Sequence, residues 1–375
     1  MPARFEEDEH MPEQLVVAGV GMMPFVAPCT NVAGFAERAI HSAMDDAGID
    51  VELVDQAVAS HVGGDSRRGE RILARAGLTG IAISSVGSGM ASGSAALFHA
   101  RQALLSGEAK CALAFGFEEE PDAALCDEVG VLCNAEFEHI ARSMGIGDET
   151  FAQVAIRARA HAARNPYALQ RDPESLAREL GTPAVAGRPR SSYISQASRG
   201  AAAIILCTRR FAAGHGMRDD VVLAAQVLEG EEPDELPEGP LRTRSTSTTR
   251  RAAERAYEAA GVDPADIDVA ELHDCCVGNE LLICTQLGLC LPDEVDRFVR
   301  SGATTHGGRI VVSPSGGLLS LGSAPGVTGL AQICELTWQL RGEAGQRQVP
   351  AARIGLQHNG GHRGAVSVAI LRRKD

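Results

Sequence analysis

Aromatic side chains are scarce in this sequence, since they make up 4% of its 375 residues and only one of them is Trp. Large rings therefore cannot fill the interior, and the core must consist mainly of Ala, Val, Leu and Ile. The sequence also contains 41 Gly residues. Gly and Ala together let backbones approach closely, so we expect tightly packed helices and strands.

Positive charge is in deficit, because 35 Lys and Arg residues stand against 49 Asp and Glu residues and leave a formal net charge of −14. This balance argues against a nucleic-acid partner. Long apolar runs are also missing, and none approaches the roughly 20 residues that a membrane-spanning helix needs. The N-terminal segment MPARFEEDEHMPEQ lacks the basic and apolar parts of a secretory signal. We therefore expect a soluble, cytoplasmic protein without a membrane span, led by a disordered segment at residues 1–14.

The ten cysteines form no CxxC pair, and several lie in apolar runs. This pattern is typical of reduced core thiols in a reducing compartment. One cluster, His273, Cys275 and Cys276, is too compact for all three residues to ligate one ion easily, and no further ligand is suitably spaced. We expect no metal site and no bound cofactor.

Apolar runs alternate with amphipathic stretches over the first part of the chain, which predicts a parallel α/β sheet. The alternation stops at about residues 118–190, where clustered acids precede Ala- and Arg-rich helical sequence, and this segment is predicted to be an insertion over the mouth of the sheet. The predicted strands are 15–21, 54–60, 111–117, 200–207, 221–227, 267–272 and 365–371. The predicted helices include 35–47, 67–77, 152–163 and two that begin at 277 and 328.

The second part of the chain repeats the first. The sequence AERA at 36–39 recurs at 253–256, and AGID at 47–50 recurs as AGVD at 260–263. The two matches have nearly the same separation along the chain, with a difference of about one helical turn. The repeat indicates two similar halves of one fold. An acidic, Pro-rich segment at 229–240 marks their boundary, so we divide the chain into an N-terminal half, 15–235, and a C-terminal half, 236–375.

The stretch SSVGSGMASGSAALF at 84–98 combines a β-prone run, a Gly-Ser-Gly turn and Ala-rich helical sequence. A strand, a tight turn and a helix form a nucleophile elbow, in which one side chain and the first N–H groups of the helix face a pocket. The residue at this elbow is Met90. Its thioether has no proton to lose, so it cannot act as a thiolate nucleophile.

Eight motifs stand in a fixed order along nearly the whole chain. They are MASGSAAL at 90–97, ELHDC at 271–275, NELL at 279–282, LGLC at 287–290, SPSGGL at 313–318, GLAQ at 329–332, WQLRGEAG at 338–345 and LQHN at 356–359. In this order they resemble the thiolases, particularly those of the sterol-carrier-protein type.

The resemblance implies an α/β fold in which two similar halves stack as alternating helix and sheet layers, with residues 118–190 as a loop domain near the acyl-CoA site. It implies a CoA thioester of lipid metabolism as substrate. Because the protein is acidic, such an anionic substrate needs a local basic lining. It also implies a homodimer, or a heteromer with a thiolase-like or small accessory protein, since some thiolase-like aldolases work with a small partner.

Both members of the covalent catalytic pair of this family are replaced. The family's nucleophilic Cys stands at the position of Met90, and the His that activates it lies in a Gly-His-Pro turn where this sequence has Ser323. A nucleophile without its base has no role in a covalent mechanism. Thiolysis through an acyl-enzyme at this elbow is therefore not expected.

Other family residues are retained. In the sterol-carrier type, the residue at His273 helps to form an oxyanion hole and the one at Cys275 is the second acid or base. His358 lies in the His-Asn pair typical of that type, and the glycines Gly360 and Gly361 allow the backbone to approach a ligand. His306 stands where the family commonly has Tyr and is a candidate for the pocket lining, together with Met90 and Ser323.

Three hypotheses follow from this pattern. The first is an enzyme that stabilises a thioester enolate without a covalent step, as in retro-aldol, Claisen-type or decarboxylation chemistry. The second is a catalytically silent subunit that binds acyl-CoA or pairs with an active thiolase, and here the retained residues are inherited packing. The third is acyl transfer with Cys275 as the nucleophile.

Overall fold

The structure is a computed structural model that describes residues 13–119, 144–173, 190–230, 245–360 and 364–374, with single positions at 139, 141, 142, 178 and 181. Gly361, nearly all of the leading segment 1–14 and most of the boundary segment 229–240 lie outside the described residues. None of the described helices is both long and apolar enough to cross a membrane.

The described residues form strands and helices in alternation. The strands are β1 Leu15–Met22, β2 Gln56–Ser60, β3 Ala82–Val86, β4 Cys111–Glu118, β5 Gly200–Thr208, β6 Val221–Glu229, β7 Val269–Glu271, β8 Val311–Val312, β9 Ile354–Gly360 and β10 Val366–Arg373. The helices are α1 Phe35–Ala47, α2 Arg68–Arg75, α3 Ser92–Leu105, α4 Asp148–Ala162, α5 Arg209–His215, α6 Ser245–Ala260, α7 Val277–Gln286, α8 Val295–Arg300, α9 Gly317–Leu321 and α10 Thr328–Arg341. Single 3₁₀ turns lie at Val51–Leu53, Ser191–Tyr193, Pro264–Asp266 and Gly345–Arg347.

The order of the described strands confirms the duplication. It runs β3-β2-β4-β5-β1-β6-β10-β9-β7-β8. Counted from each outer edge toward the centre, the two sets of five strands follow the same relative order: 3-2-4-5-1 in the first set and 8-7-9-10-6 in the second. The two sets meet where β1 lies beside β6, and the register there contains the pair Val16 and Val222.

The prediction of a parallel sheet is wrong for part of each half. β2 is parallel to β3 and β4, and β7 is parallel to β8 and β9. The pairs that include β5 or β10 are antiparallel. β9 ends at Gly360 and β10 begins at Val366, and so short a connection leaves no room for the crossover that parallel pairing needs.

Helices and sheet alternate in layers. α10 contacts β1 and β5 of the first half, β7, β9 and β10 of the second half, and α3, so it lies between the two halves of the sheet. α1 covers the outer face of the first half of the sheet, and α6 covers that of the second half. Because α10 is enclosed on all sides, nearly all of its residues are buried. The layered fold of two similar halves is thus confirmed.

Small residues bring helix and strand backbones together, as the composition predicts. A Cβ atom on Gly19 of β1 would lie 2.0 Å from the carbonyl oxygen of Ala43, and one on Gly21 would lie 2.2 Å from that of Ala39. Both carbonyls belong to α1. This helix therefore rests directly on the backbone of β1, where only glycine fits.

Helix α4 of the insertion packs on the C-terminal half. α4 contacts α7, α8 and α9. Arg157 of α4 is buried and forms an ion pair with Glu280 of α7, which is also buried. Arg157 Nη1 also donates to Thr304 Oγ1 at 2.9 Å. A helix from the insertion thus completes the buried polar interior beside α7.

Candidate active site

The elbow has the predicted form of a strand, a glycine turn and a helix. β3 ends at Val86 and α3 begins at Ser92. Gly89 in the turn has a φ of 54°, which favours glycine. The Ser92 hydroxyl donates to the carbonyl oxygen of Gly89 at 2.7 Å and accepts the N–H of Ser88 at 2.8 Å. Met90 is half-buried at the tip.

The elbow's first N–H groups already have acceptors, which corrects the expectation that they face a pocket. Ala91 N donates to Ser88 O at 3.0 Å, and Ser92 N donates to Gly89 O at 3.2 Å. Gly93 N lies 3.4 Å from Pro325 O. These three donors close the turn and attach it to the loop before α10, so they do not face a pocket.

Ser323 lies in the turn between α9 and α10 and is buried. Its N–H donates to Gln196 O at 2.8 Å, and its carbonyl oxygen accepts the N–H of Ser198 at 2.9 Å. The extended segment around residue 197 therefore holds this turn in place. A hydroxyl at this position is a much weaker base than an imidazole.

A chain of hydrogen bonds joins the first turn of α3 to His273. Gln357 Nε2 lies 2.6 Å from Ser94 Oγ, and Ser94 Oγ lies 2.9 Å from Asn359 Oδ1. Asn359 Nδ2 lies 3.1 Å from His273 Nδ1. All four side chains are buried. We call this set, which includes Gln357, the Ser94–Asn359–His273 network. It connects α3, β9 and the loop after β7.

Cys275 shares a partner with His273. Asn279, in the first turn of α7, donates from Nδ2 to the carbonyl oxygen of His273 at 2.8 Å and to Cys275 Sγ at 3.5 Å. The carbonyl oxygen of Cys275 accepts the N–H of Ser195 at 2.9 Å. The loop after β7 is thereby held at both ends, and its His and Cys stay beside each other.

His358 points away from this network, because successive side chains of a strand alternate between its faces. Its Nε2 lies 3.1 Å from Thr249 Oγ1 of α6. Burial lowers the pKa of His358 to about 3, and the charge of His273 adds to this effect while Cys275 opposes it. The three predicted catalytic residues thus interact electrostatically, but His358 contacts a different helix.

Gly360 brings the end of β9 against the elbow. Its φ is 91°. A Cβ atom there would lie 2.8 Å from the Cβ of Ala91, the residue after Met90. This contact places Gly360 beside the elbow. Gly360 directly follows Asn359, a member of the Ser94–Asn359–His273 network, in the sequence.

His306 lies beside α4. Its ring centroid is 4.9 Å from that of His161. His161 is held by the carbonyl oxygen of Ser313 at 3.0 Å and by Thr305 Oγ1 at 3.2 Å. Burial, followed by the charge of Arg164, lowers the pKa of His306. The structure therefore assigns His306 to the interface between α4 and the loop before β8, whereas the network involves α3 and β9.

Buried acids flank His273 and were not singled out from the sequence. Glu271 accepts the N–H of Ser315 at 2.9 Å and its hydroxyl at 2.7 Å. Burial, followed by the charge of Glu335, raises the pKa of Glu271 to about 8. Asp274 accepts the N–H of Leu318 at 2.7 Å, and burial raises its pKa well above the ordinary value. Both belong to the ELHDC motif, so this motif was the signal that could have identified them.

Glu118 is a further residue that the sequence did not single out. It ends β4 and is buried, and its Oε2 accepts the N–H of Gly326 at 3.3 Å. Burial raises the pKa of Glu118, while backbone N–H groups of Gly326, Gly63 and Val62 act to lower it. The carboxyl group therefore ties the loop after β2 to the turn that contains Ser323.

Among the described residues, no group of three or more His, Cys, Asp or Glu side chains could hold a metal ion.

Comparisons with known proteins agree with this architecture. Residues 241–373 match the family described as "Thiolase C-terminal domain-like". The chain is 37% identical to human "Sterol carrier protein 2" over 96% of its own length and 72% of that protein. It is 34% identical to an "Acetyl-CoA acetyltransferase" of Methanothermobacter thermautotrophicus over 80% of this chain and 82% of the relative. The solved "Ltp2-ChsH2(DUF35) aldolase" superposes with a TM-score of 0.82 at 20% identity, over 96% of this chain and 98% of that one.

The fold and the site define a protein of the thiolase superfamily. Within it, the chain belongs to the sterol-carrier-protein-2-type thiolases.

Proposed function

We propose that this protein acts on CoA thioesters and makes or breaks the C–C bond beside the thioester without a Cys acyl-enzyme. One observation carries the proposal. The Ser94–Asn359–His273 network is continuous and buried beside the elbow, whereas Met90 and Ser323 are the residues that the family resemblance places at the positions of the covalent pair.

Retro-aldol cleavage illustrates chemistry that needs no nucleophile on the protein. A base takes the proton of the β-hydroxyl group, the Cα–Cβ bond breaks, and an aldehyde or ketone forms. The electron pair of the broken bond moves into the thioester as an enolate, whose oxygen needs a hydrogen-bond donor. A proton then returns to Cα, so the other product is a shortened acyl-CoA.

We assign the oxyanion donor to His273 and the proton transfer at Cα to Cys275. Asn279 contacts the sulfur of Cys275 and the backbone of His273 and so keeps the two groups together. His358 is also a proposed catalytic residue, and its imidazole contacts Thr249 of α6. Met90, Gly360, Gly361, Ser323 and His306 are proposed substrate-binding residues.

The relatives support a CoA thioester as the substrate. One is an acetyl-CoA acetyltransferase and another is a subunit of "Benzoylsuccinyl-CoA thiolase". One solved structure with the same fold is an aldolase.

We also propose that the protein works as a homodimer or with a small accessory protein. β3 is an edge strand of the sheet, and most of its residues are exposed. An exposed edge strand offers backbone groups to a second chain. The name of the solved aldolase joins Ltp2 with ChsH2(DUF35), which favours an accessory protein of that kind.

The decisive experiment is turnover of a panel of β-hydroxyacyl- and β-ketoacyl-CoA thioesters, followed by mass spectrometry of products and intact protein. The protein is tested alone and with a DUF35 protein. We expect product release, no acyl adduct on the protein, and loss of activity in His273→Ala but not in the control His99→Ala, whose residue is exposed on α3.

Other results would overturn the proposal. An acyl adduct on Cys275 would show covalent transfer at that thiol. Absence of turnover under every condition, together with co-purification of an active thiolase, would identify a catalytically silent subunit.

A further inference from the structure

Ser94 and Asn359 are buried polar residues to which the proposed reaction assigns no task. Each makes hydrogen bonds with other buried side chains. A buried polar network is useful only when every member finds the right partner. The direction of each hydrogen bond in this network therefore carries information.

Two backbone carbonyls fix that direction, because a carbonyl oxygen can only accept. Gln332 Nε2 lies 3.2 Å from His358 O, so this amide nitrogen must donate and Gln332 Oε1 is free to accept. Gln357 Nε2 lies 3.1 Å from Gln332 Oε1 and 3.4 Å from Gly329 O, so it must also be the donating end of its amide. Both amides thus have one orientation.

The same order of donor and acceptor continues from Gln357 through Ser94 and Asn359 to the imidazole of His273. Gln357 Nε2 donates to Ser94 Oγ, and the Ser94 hydroxyl donates its own hydrogen to Asn359 Oδ1. This contact turns Asn359 Nδ2 toward His273 Nδ1. An amide nitrogen only donates, so Nδ1 must accept, and the proton of the neutral ring is then on Nε2.

We propose that Ser94 is a positioning residue that, through Asn359, holds His273 in the Nε2–H tautomer. The catalytic meaning rests on the proposed function, since an Nε2–H group is the donor that a thioester oxyanion requires. The tautomer itself does not depend on it. The first turn of the elbow helix thus sets the protonation of a residue that belongs to the other half of the chain.

The tautomer can be measured in the free protein without any substrate. Protein labelled with ¹⁵N-histidine gives long-range ¹H–¹⁵N spectra in which protonated and unprotonated ring nitrogens differ, and His273→Ala identifies the signals of His273. We expect the proton on Nε2 in the unaltered protein. In Asn359→Asp an acceptor replaces the donor, so we expect a proton on Nδ1.

Kinetics provide a second readout. In Ser94→Ala, either end of the Asn359 amide can face the ring, so only a fraction of the molecules keep the Nε2–H tautomer. We expect kcat to fall by about two- to tenfold at unchanged KM, as the competent fraction falls. The control Ser106→Ala, at the other end of α3, should leave both constants unchanged.

A proton on Nδ1 in the unaltered protein, or no change of tautomer in Asn359→Asp, would overturn the assignment. Circular dichroism verifies that each variant is folded, and Ser94→Ala decides the matter if Asn359→Asp is not. The spectra need no turnover. If the protein proves inactive on all CoA thioesters, the proposed function is wrong, but the tautomer can still be measured.

Discussion

Gly93 N, in the first turn of α3, lies 3.4 Å from Pro325 O in the turn before α10. A Cβ atom on Gly93 would lie 3.2 Å from the carbonyl oxygen of Gly326, so a larger residue there would require the neighbouring backbone to shift by a few tenths of an ångström. The elbow that presents Met90 and the turn that contains Ser323 therefore remain joined. The two segments to which the family resemblance assigns the covalent pair are therefore in contact.

This proximity predicts that the covalent pair can be restored. In the double variant Met90→Cys/Ser323→His, the imidazole can take the proton of the new thiol, and we expect an acyl adduct at position 90 after incubation with acetyl-CoA. Neither single variant should form it at a comparable rate, since each lacks one partner. Intact-protein mass spectrometry measures the adduct. An equally fast adduct in Met90→Cys alone would show that another base serves the elbow.

The buried ion pair between α4 and α7 predicts a large loss of stability in Arg157→Met. The substitution leaves Glu280 buried without its counter-charge, which costs about 3–5 kcal/mol. Urea unfolding measures the change. The exposed pair of Arg297 and Glu294 provides the control: Arg297→Met should cost less than about 1 kcal/mol. Equal losses in the two variants would mean that Arg157 is not essential to the interior.

Much of the fold follows from local sequence. Helix 35–47 was predicted with the bounds that the structure has, because its apolar spacing and the closing Gly48 are both local signals. The strand direction was not predictable in the same way. Parallel or antiparallel pairing depends on which strands meet after the intervening segments have folded. Residues 118–190 separate β4 from β5 in the sequence, so the sequence did not indicate that β5 pairs with β4 and β1.

The candidate site was predictable only in part, for a similar reason. The elbow and the HDC motif are short continuous sequences. The role of Ser94 as a link became visible only when β9 placed Asn359 between it and His273. The use of the Gly93 N–H by Pro325 is likewise a contact between distant parts of the chain, so the sequence wrongly suggested that this donor faced a pocket.

Glu271 predicts a pH dependence of stability. In the folded protein its pKa is raised to about 8 from an ordinary value of 4.5. Between these values the folded protein holds a proton that the unfolded chain has released, so the free energy of unfolding should fall as pH rises through this window. Glu271→Gln removes this titrating group, so the slope of unfolding free energy against pH should lose the contribution of one proton.

Urea unfolding at several pH values from about 5 to about 8 measures this slope. Glu70→Gln is the matched control, because Glu70 is exposed and pairs with exposed Arg67. The control should keep the slope of the unaltered protein. The same slope in Glu271→Gln would show that the carboxyl group is ionised in the folded state.

Gly360→Ala tests how tightly the end of β9 packs against Ala365 and against Ala91 of the elbow. The substitution has two costs. A φ of 91° is unfavourable for Ala by about 1–2 kcal/mol, and the new methyl group would lie 2.2 Å from Ala365 O and 2.8 Å from the Cβ of Ala91. Gly107→Ala separates these effects, because Gly107 has a φ of 79° but open space around it. We therefore expect urea unfolding to show a clearly larger loss in Gly360→Ala than in Gly107→Ala. If the two losses were equal, the steric contacts with Ala365 and Ala91 would contribute nothing, and the end of β9 could shift without cost.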